Sequence, residues 1–528
     1  MLVAGLGAPA EAGPSLEEET RFAVGSVFED GNRNGRRDPG ERGVPAVAVS
    51  NGADVVRTDA KGRYRIPIGE DAILFAVKPS GWATPQTPDR IPRFYYLHKP
   101  KGSPPGLGFP GVEPTGPLPE SVDFPLTRRV ERSRFRVILF GDTQTYSLEE
   151  VDLFARDIVE ELIGADVAFG ISLGDLVGDD LSLFDPLNGA VSLIGAPWYN
   201  VHGNHDMNLR AESDAHADES WERVYGPTSY AFEYGPVHFI VLDDVIYQGA
   251  KPEDGSPGGY AGGLTPSQLS FVRDYLAGVP RQHLIVLAMH IPLALPDTFE
   301  APANFQVPQR RELFEILSDH PYTLSLSAHM HVQYHQFFGP EHGYRASRPH
   351  HHLVHATASG SWWLGEPDEF GIPHATMPCG APNGYSIISF DGNQYSLRFK
   401  AARRPASHQM HVVVPDAVPS EAAAETEVLV NVYAGSERSV VEMRLGNTGE
   451  WIRLERAPRE DPHYVAARAR AARPPSSPGP ELLPAIPSPH TWVGRLPANP
   501  PRGTAALEVR TTDLFGQVYT AHRVIRID

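Results

Sequence analysis

An α/β core set between two β-sandwich-like domains is predicted by three observations. The chain has 528 residues, more than one domain usually holds. Residues 134 to 402 alternate apolar β-rich runs with helical ones, the grammar of a layered α/β domain. Both flanks instead show short β-rich runs separated by Gly, Pro, Asn and Asp turns. Composition narrows the function classes. No stretch approaches the roughly 18 consecutive apolar residues of a membrane span. The net charge of −19 disfavours non-specific attraction to nucleic acid or anionic lipid. A single cysteine, Cys379, excludes an intrachain disulfide framework and a four-Cys zinc site.

In chain order, residues 1–21 begin MLVAGLGAPAEAG, small residues like those at a signal cleavage site but without a basic leading region. This segment is expected to be a trimmed signal remnant or a disordered tail. Residues 22–127 form the first predicted β-sandwich-like domain, with runs such as RFAVGSVF, GRYRIPI and ILFAVKP and a closing strand at SVDFPL. Inside it, Asp30, Asn32, Asn34, Gly35, Asp38 and Glu41 follow the spacing D-x-[DN]-x-[DN]-G-x₅-E of a calcium loop, although the flanks read as strands and not helices. Asp30, Asn32, Asn34, Arg36, Asp38 and Glu41 are therefore candidate calcium residues, against the alternative of a solvated Asx-rich turn. Gly106, Gly108 and Gly111 spell G-x-G-x-x-G, but Pro110 interrupts the motif and no helix follows, so a loop is expected and not a dinucleotide site.

The core carries most of the excess acid: residues 131–404 hold 17 basic and 35 acidic groups. Its apolar strands end in polar residues. FRVILF runs into Gly141, Asp142, Thr143 and Gln144; DVAFGISL ends in Gly174 and Asp175; PWYNV leads to Gly203, Asn204, His205 and Asp206. VLAMH ends at His290, and TLSLSAHMH ends at His329 and His331. Ligand sites in open α/β sheets gather at carboxyl ends of strands, and five such ends deliver carboxylate, amide or imidazole groups to one edge. Singly, each has a bland reading as a turn residue, a helix cap or a satisfied histidine.

The ordered set resembles the calcineurin-like metallophosphoesterases over residues 134–402: Asp-x-His, Gly-Asp, Gly-Asn-His-Asp, a lone His and Gly-His-x-His. The resemblance implies an α/β/β/α sandwich holding two divalent metal ions, Mn, Fe, Zn or Mg. One would be held by Asp142, Gln144, Asp175 and His331, the other by Asp175, Asn204, His290 and His329, with Asp175 bridging. It further implies His205 as the acid beside a phosphoester substrate and Asp206 as the group that orients it. Two departures stand out. Gln144 replaces a histidine, so the first site should hold its metal less tightly and lean toward Mn²⁺ or Mg²⁺. Ala328 replaces the glycine before His329.

Two competing signals are weaker. Gly170, Ser172 and Gly174 spell G-x-S-x-G, but Asp175 and not Ser172 occupies the turn that a nucleophile elbow requires. His350, His351, His352 and His355 form a second cluster, whose sequence HLVHATASG reads better as a core strand than as a metal tract. Trp362 and Trp363 are expected either to line the cleft or to fill the core. Residues 405–528 form the second β-rich domain.

The expected activity is metal-dependent hydrolysis of a phosphomonoester or phosphodiester by metal-activated water. The alternative is a cell-surface binding protein with a silent core; Asn204 and His205 speak against it, since a core kept for its fold needs neither. The flanking domains resemble those of a bacterial subgroup whose members are exported, which makes a periplasmic or extracellular location the expectation. Substrate choice is expected to reside in loops 207–225, 246–263 and 294–308.

Overall fold

The computed structural model describes residues 21–251, 253, 255–296, 302–447, 449–471 and 482–528. The tail expected over residues 1–21 lies, but for Arg21, outside the described residues. Among these, no helix is long and apolar enough to cross a membrane.

Two stacked sheets build the core. In the first, Trp198–Val201, Phe169–Leu173 and Arg134–Phe140 run parallel, followed by the antiparallel pair Gly384–Asp391 and Gln394–Ala401. In the second, Val237–Val241, Leu284–Ala288, Thr323–Ser327 and His350–Val354 run parallel, with Tyr230–Tyr234 and Tyr334–Phe338 antiparallel at the edges. Strand residues alternate between faces. Val137 and Leu139 therefore point into the seam between the sheets, with Ile171, Phe239 and Leu287. Ile138 and Phe140 point outward to Val151, Phe154 and Leu187 of the helices Leu148–Phe154 and Phe184–Ser192. The helices Pro266–Leu276 and Arg310–Leu317 cover the far side with Phe271, Val272, Leu313 and Phe314. The layering is α/β/β/α.

Two four-stranded sheets pack around Val27, Val49, Ile66, Leu74 and Leu126 to form the N-terminal sandwich. It is fastened to the core by polar bonds as well as by packing: buried Lys99 reaches Glu219 at 2.9 Å and Glu222 at 2.7 Å, and buried Lys78 donates to the Glu233 carbonyl at 2.6 Å. In the C-terminal domain, sheets of four and five strands enclose Val430, Met443, Trp492 and Leu507. A helix, Pro462–Ala471, is an addition to the all-β expectation there. Its signal lay in Asp461 before Pro462: the Asp461 carboxylate accepts from the His463 and Tyr464 amides, as an N-cap does.

The histidine cluster is a buried strand, His350–Val354, as its apolar neighbours suggested. The His350 and His352 side chains join one hydrogen-bond ladder whose polarity both ends dictate. The Leu293 amide donates to His352 Nε2 at 3.2 Å, which leaves the His352 proton on Nδ1, directed at Ser325 Oγ at 2.7 Å. Ser325 then donates to His350 Nε2 at 2.7 Å, and His350 Nδ1 donates to Thr323 Oγ1 at 2.8 Å. Thr323 donates to the Tyr344 hydroxyl at 2.9 Å, which donates to the His320 carbonyl at 2.6 Å. Every proton has one acceptor and both imidazoles are neutral. Burial accordingly pulls His350 down to about 3. Ser325→Ala removes the shared hydroxyl and orphans a nitrogen on each ring, at about 1–3 kcal/mol per group. Urea denaturation is expected to show that loss, with both imidazoles remaining protonated at Nδ1 by ¹⁵N NMR in the parent protein.

Candidate metal centre

All five polar strand ends meet at the carboxyl edge of the two sheets. Their backbone is strained there. Asp142, Gln144, Asp175, His329 and His331 all have positive φ, at 20°, 32°, 47°, 66° and 49°. Non-glycine residues seldom adopt such values, and they cluster where surrounding structure over-determines a functional geometry. Ala328 is absent from that set; the positive φ falls on His329 instead, so the departure from glycine at 328 is accommodated. Two glycines are indispensable for space. A Cβ on Gly203 would lie 2.1 Å from the Asp175 amide, and one on Gly174 would lie 2.5 Å from His290 Nδ1.

Asp175, His290 and His329 bring ligand atoms within 4.8 Å of one another. His290 Nε2 lies 3.2 Å from Asp175 Oδ2, 3.0 Å from Asn204 Oδ1 and 3.2 Å from His329 Nδ1, while its Nδ1 is anchored on the Leu173 carbonyl at 2.8 Å. On the other side His331 Nε2 lies 3.8 Å from Asp142 Oδ1, with its Nδ1 on the Gly360 carbonyl at 3.0 Å. Asp142 Oδ1 and His329 Nε2 are buried without any hydrogen-bond partner. Of the two, Asp142 Oδ1 lies within the group and calls for a ligand there, while His329 faces the group through Nδ1; an oxygen and nitrogen donor set suits first-row divalent cations. The residues fit such ions.

Gln144 is buried beside this group with its amide fixed at both ends. Its Oε1 accepts from Trp362 Nε1 at 3.0 Å and its Nε2 donates to the Tyr146 hydroxyl at 3.2 Å. Trp362 packs on His331 with ring centroids 4.7 Å apart, so of the two tryptophans it lines the cleft. Trp363 fills the core and donates to Asp157 at 2.9 Å. Ser172 lies within its strand and accepts from Trp198 Nε1 at 2.9 Å, away from any turn.

Asp206 does not orient His205. Its carboxylate faces inward and accepts from the backbone amides of Leu176 at 2.9 Å, Val177 at 3.1 Å and Gly203 at 3.1 Å, tying together the loops that present Asp175 and Asn204. Asp179 takes the expected role, with Oδ1 2.7 Å from His205 Nδ1. Sequence reasoning missed it because the motif ended at Asp175, although Asp179 follows only four residues later. Asp244 braces a third loop in the same manner, accepting from the amides of His290 at 3.1 Å and Ile291 at 3.0 Å.

The charges of the centre depend on one another. Burial pulls His205 down, but the Asp175 and Asp179 carboxylates outweigh it and push the ring up to about 9. Burial likewise opposes protonation of His290, and Asp175 overrides it. Burial raises Asp142 well above the carboxylate range; Asp175, despite burial, is held below it by His290 and His205. Burial pulls His329 down to about 3 and His331 down to about 4, which keeps both imidazoles in the neutral form that binds metal.

Comparison with known families gives two matches. The model described as the N terminal of calcineurin-like phosphoesterase matches residues 31–111, and the one described as the C terminal of calcineurin-like phosphoesterase matches residues 352–519. These two matches support a calcineurin-like phosphoesterase with accessory domains. Its core is the α/β/β/α layering of that family, flanked by β-rich accessory domains. Divalent metals and a phosphoester substrate are the family's general chemistry. Among solved structures, a purple acid phosphatase isolated from yellow lupin (Lupinus luteus) seeds is similar at 13% identity and a TM-score of 0.36, covering 69% of this chain and 67% of that one. A likeness that remote does not bear on chemistry. No curated protein matches.

The two aspartates beside His205 should separate cleanly. Asp206→Ala strips three buried backbone donors of their acceptor, at about 1–3 kcal/mol each. It is expected to lower stability in urea and weaken metal binding together. Asp179→Ala is expected to leave stability near that of the parent and to alter only the behaviour of His205. Equal stability losses in the two variants would contradict these assignments.

Proposed function

We propose that this chain hydrolyses a phosphoester with water activated between two divalent cations. The observation that carries this reading is the convergence of Asp142, Asp175, His290, His329 and His331 from separate strand ends, with the buried Asp142 Oδ1 left unsatisfied among them and His329 turned to the group through Nδ1. Asp142, Gln144, Asp175 and His331 would hold one cation and Asp175, Asn204, His290 and His329 the other. The Gln144 oxygen, already bonded to Trp362, keeps one lone pair for that purpose. When bound, such a cation pair lowers the pKa of water and offsets phosphoryl charge.

The chain's own residues do the rest. Asp206 and Asp244 hold the ligand loops rigid through backbone amides. His205 is the proton donor for the leaving oxygen: Asp179 fixes its Nδ1 proton, which keeps the ring oriented and leaves the other nitrogen for the substrate. The P–O ester bond breaks as water adds to phosphorus, and the leaving alkoxide takes the proton from His205. No protein nucleophile is needed.

Hydrolysis of 4-nitrophenyl phosphate esters is expected to disappear with a chelator and return with Mn²⁺. Asp175→Asn and His290→Ala should abolish it. His205→Ala should lower kcat by about 10²- to 10⁴-fold with metal content unchanged. Loss of metal in that variant would make His205 a ligand; undiminished activity in Asp175→Asn would refute the centre and leave a binding role for the core.

We further propose that the loop from Asp30 to Glu41 holds calcium. The Asp30 carboxylate gathers the amides of Asn34 at 3.2 Å and Gly35 at 2.9 Å, and the Glu41 carboxylate gathers those of Gly31 at 2.9 Å and Asp38 at 3.0 Å. Asn34 Oδ1 caps the Arg36 amide at 2.8 Å, and the Asn32 and Asn34 amides converge on Asp38. The loop is thus ordered by its own side chains, with Gly35 at φ 75° making the turn. Millimolar Ca²⁺ is expected to raise the melting temperature of the full chain by mass action, and Asp30→Ala to remove that increment. An unchanged melting curve in the parent protein would leave a plain Asx-rich turn.

A further inference from the structure

We infer that the substrate is a phosphodiester carrying a flat apolar group on each arm, an inference that rests on the hydrolase reading above and narrows it. Two aromatic walls flank the metal centre, one on each side. On the side of His329, Phe305 packs on that ring with centroids 4.7 Å apart and Tyr260 does so at 5.9 Å; the two are near-parallel to each other, 9° apart in plane and 6.0 Å between centroids. On the side of His331, Trp362 packs on that ring at 4.7 Å, and Tyr146 shares the Gln144 amide with it. Tyr146 also stands edge-on to His205 at 6.2 Å, so this second wall borders the proton donor. The walls are built from separate loops: Tyr260 and Phe305 come from the long connections on either side of the strand Leu284–Ala288, Tyr146 from the loop after Arg134–Phe140, and Trp362 from the connection between His350–Val354 and Gly384–Asp391.

These rings are not consumed by the core. Tyr146 is 42% exposed, and Tyr260, Phe305 and Trp362 are half-buried. Large aromatic surface left open at a catalytic edge is available to a flat partner, with stacking geometry as the basis of recognition. Two walls on opposite sides of one phosphorus match two ester arms. The leaving arm lies along Tyr146 and Trp362, next to His205, and the retained arm lies along Tyr260 and Phe305.

Charge points the same way. A phosphomonoester carries nearly two negative charges at neutral pH, a diester one. Among the described residues no lysine or arginine makes a hydrogen bond or ion pair with any of these four aromatics, with His205 or with the assigned ligands, while Asp179 stands at His205 and Glu150 accepts from the Tyr146 amide at 2.7 Å. A second substrate charge would find, beyond His205, no described lysine or arginine paired at the centre to offset it. The reaction balances as hydrolysis: water supplies the new oxygen on phosphorus, one P–O ester bond breaks, His205 protonates the departing oxygen, and the products are a monoester and an alcohol.

Three substrates with one leaving group isolate the two features: 4-nitrophenyl phosphate, methyl 4-nitrophenyl phosphate and bis(4-nitrophenyl) phosphate, each with Mn²⁺ and the full chain. The expected order of kcat/KM rises along that series, with the bis-aryl diester at least tenfold above the monoester. Phe305→Ala is expected to collapse the advantage of the bis-aryl over the methyl diester, mainly through KM. A monoester preferred over both diesters, or an unchanged bis-aryl to methyl ratio in Phe305→Ala, would overturn the inference. Quenching of the Trp362 fluorescence, taken as the difference from Trp362→Phe, gives a readout independent of turnover. If nothing is hydrolysed but bis(4-nitrophenyl) phosphate quenches more strongly than the monoester, the hydrolase reading fails and the recognition inference stands. If the monoester quenches equally, recognition fails whatever the turnover.

Discussion

Buried carboxylates that accept backbone amides from neighbouring loops are the constraint on which the metal centre depends. Asp206 joins the loop after Phe169–Leu173 to the loop after Trp198–Val201. Asp244 holds the turn at His290, and Asp142 Oδ2 accepts the His329 amide at 3.1 Å. Each bond is shielded from water, which makes it hard to replace. Loops fastened in this way can carry non-glycine residues at positive φ, since the local strain of about 1–3 kcal/mol per residue is offset by bonds that only this backbone course allows. Five of the seven proposed ligands are themselves strained residues, so rigidity and side-chain direction there share one origin.

The layered fold follows from the same arrangement. A strand that ends in a ligand must be pinned along its length, and the first sheet does this with alternating contacts, Val137 and Leu139 to the seam and Ile138 and Phe140 to the helices. The wide helical turn at Ala155–Val159 turns Asp157 inward, where it receives Trp363, Asn383 and Arg403. Trp363 and its neighbour Trp362 are thereby locked in register, one in the core and one against His331. Packing remote from the metal ligands sets the position of a ring that faces them.

Much of this was legible in the sequence because it was local. An apolar run followed by Gly-Asp, or by Gly-Asn-His-Asp, announces both a strand and its functional end, and five such runs specified the core and the residues that converge. What was not legible depended on direction in space. Asp206 and Asp179 lie on either side of the strand ends, and no spacing rule says that the first turns toward backbone while the second reaches His205. The aromatic walls come from residues 146, 260, 305 and 362, too far apart in the chain to form a pattern. The helix Pro462–Ala471 was missed for another reason: strong β patterning on both sides masked an Asp-Pro start.

The polarity of the ladder through His352, Ser325, His350 and Thr323 has a consequence for how the protein meets acid. Each imidazole there already donates from one nitrogen and accepts at the other, so an added proton finds no acceptor and faces a Leu293 amide or a serine hydroxyl that is itself a donor. Burial holds His350 and His352 far below the ordinary histidine value. The unfolded chain therefore binds protons that the folded one refuses, and the stability these residues contribute is present above about pH 6.5 and drains away as the pH falls below it. The strand that supports His329 is for that reason a point of acid lability, where acidification draws stability from the second sheet from within.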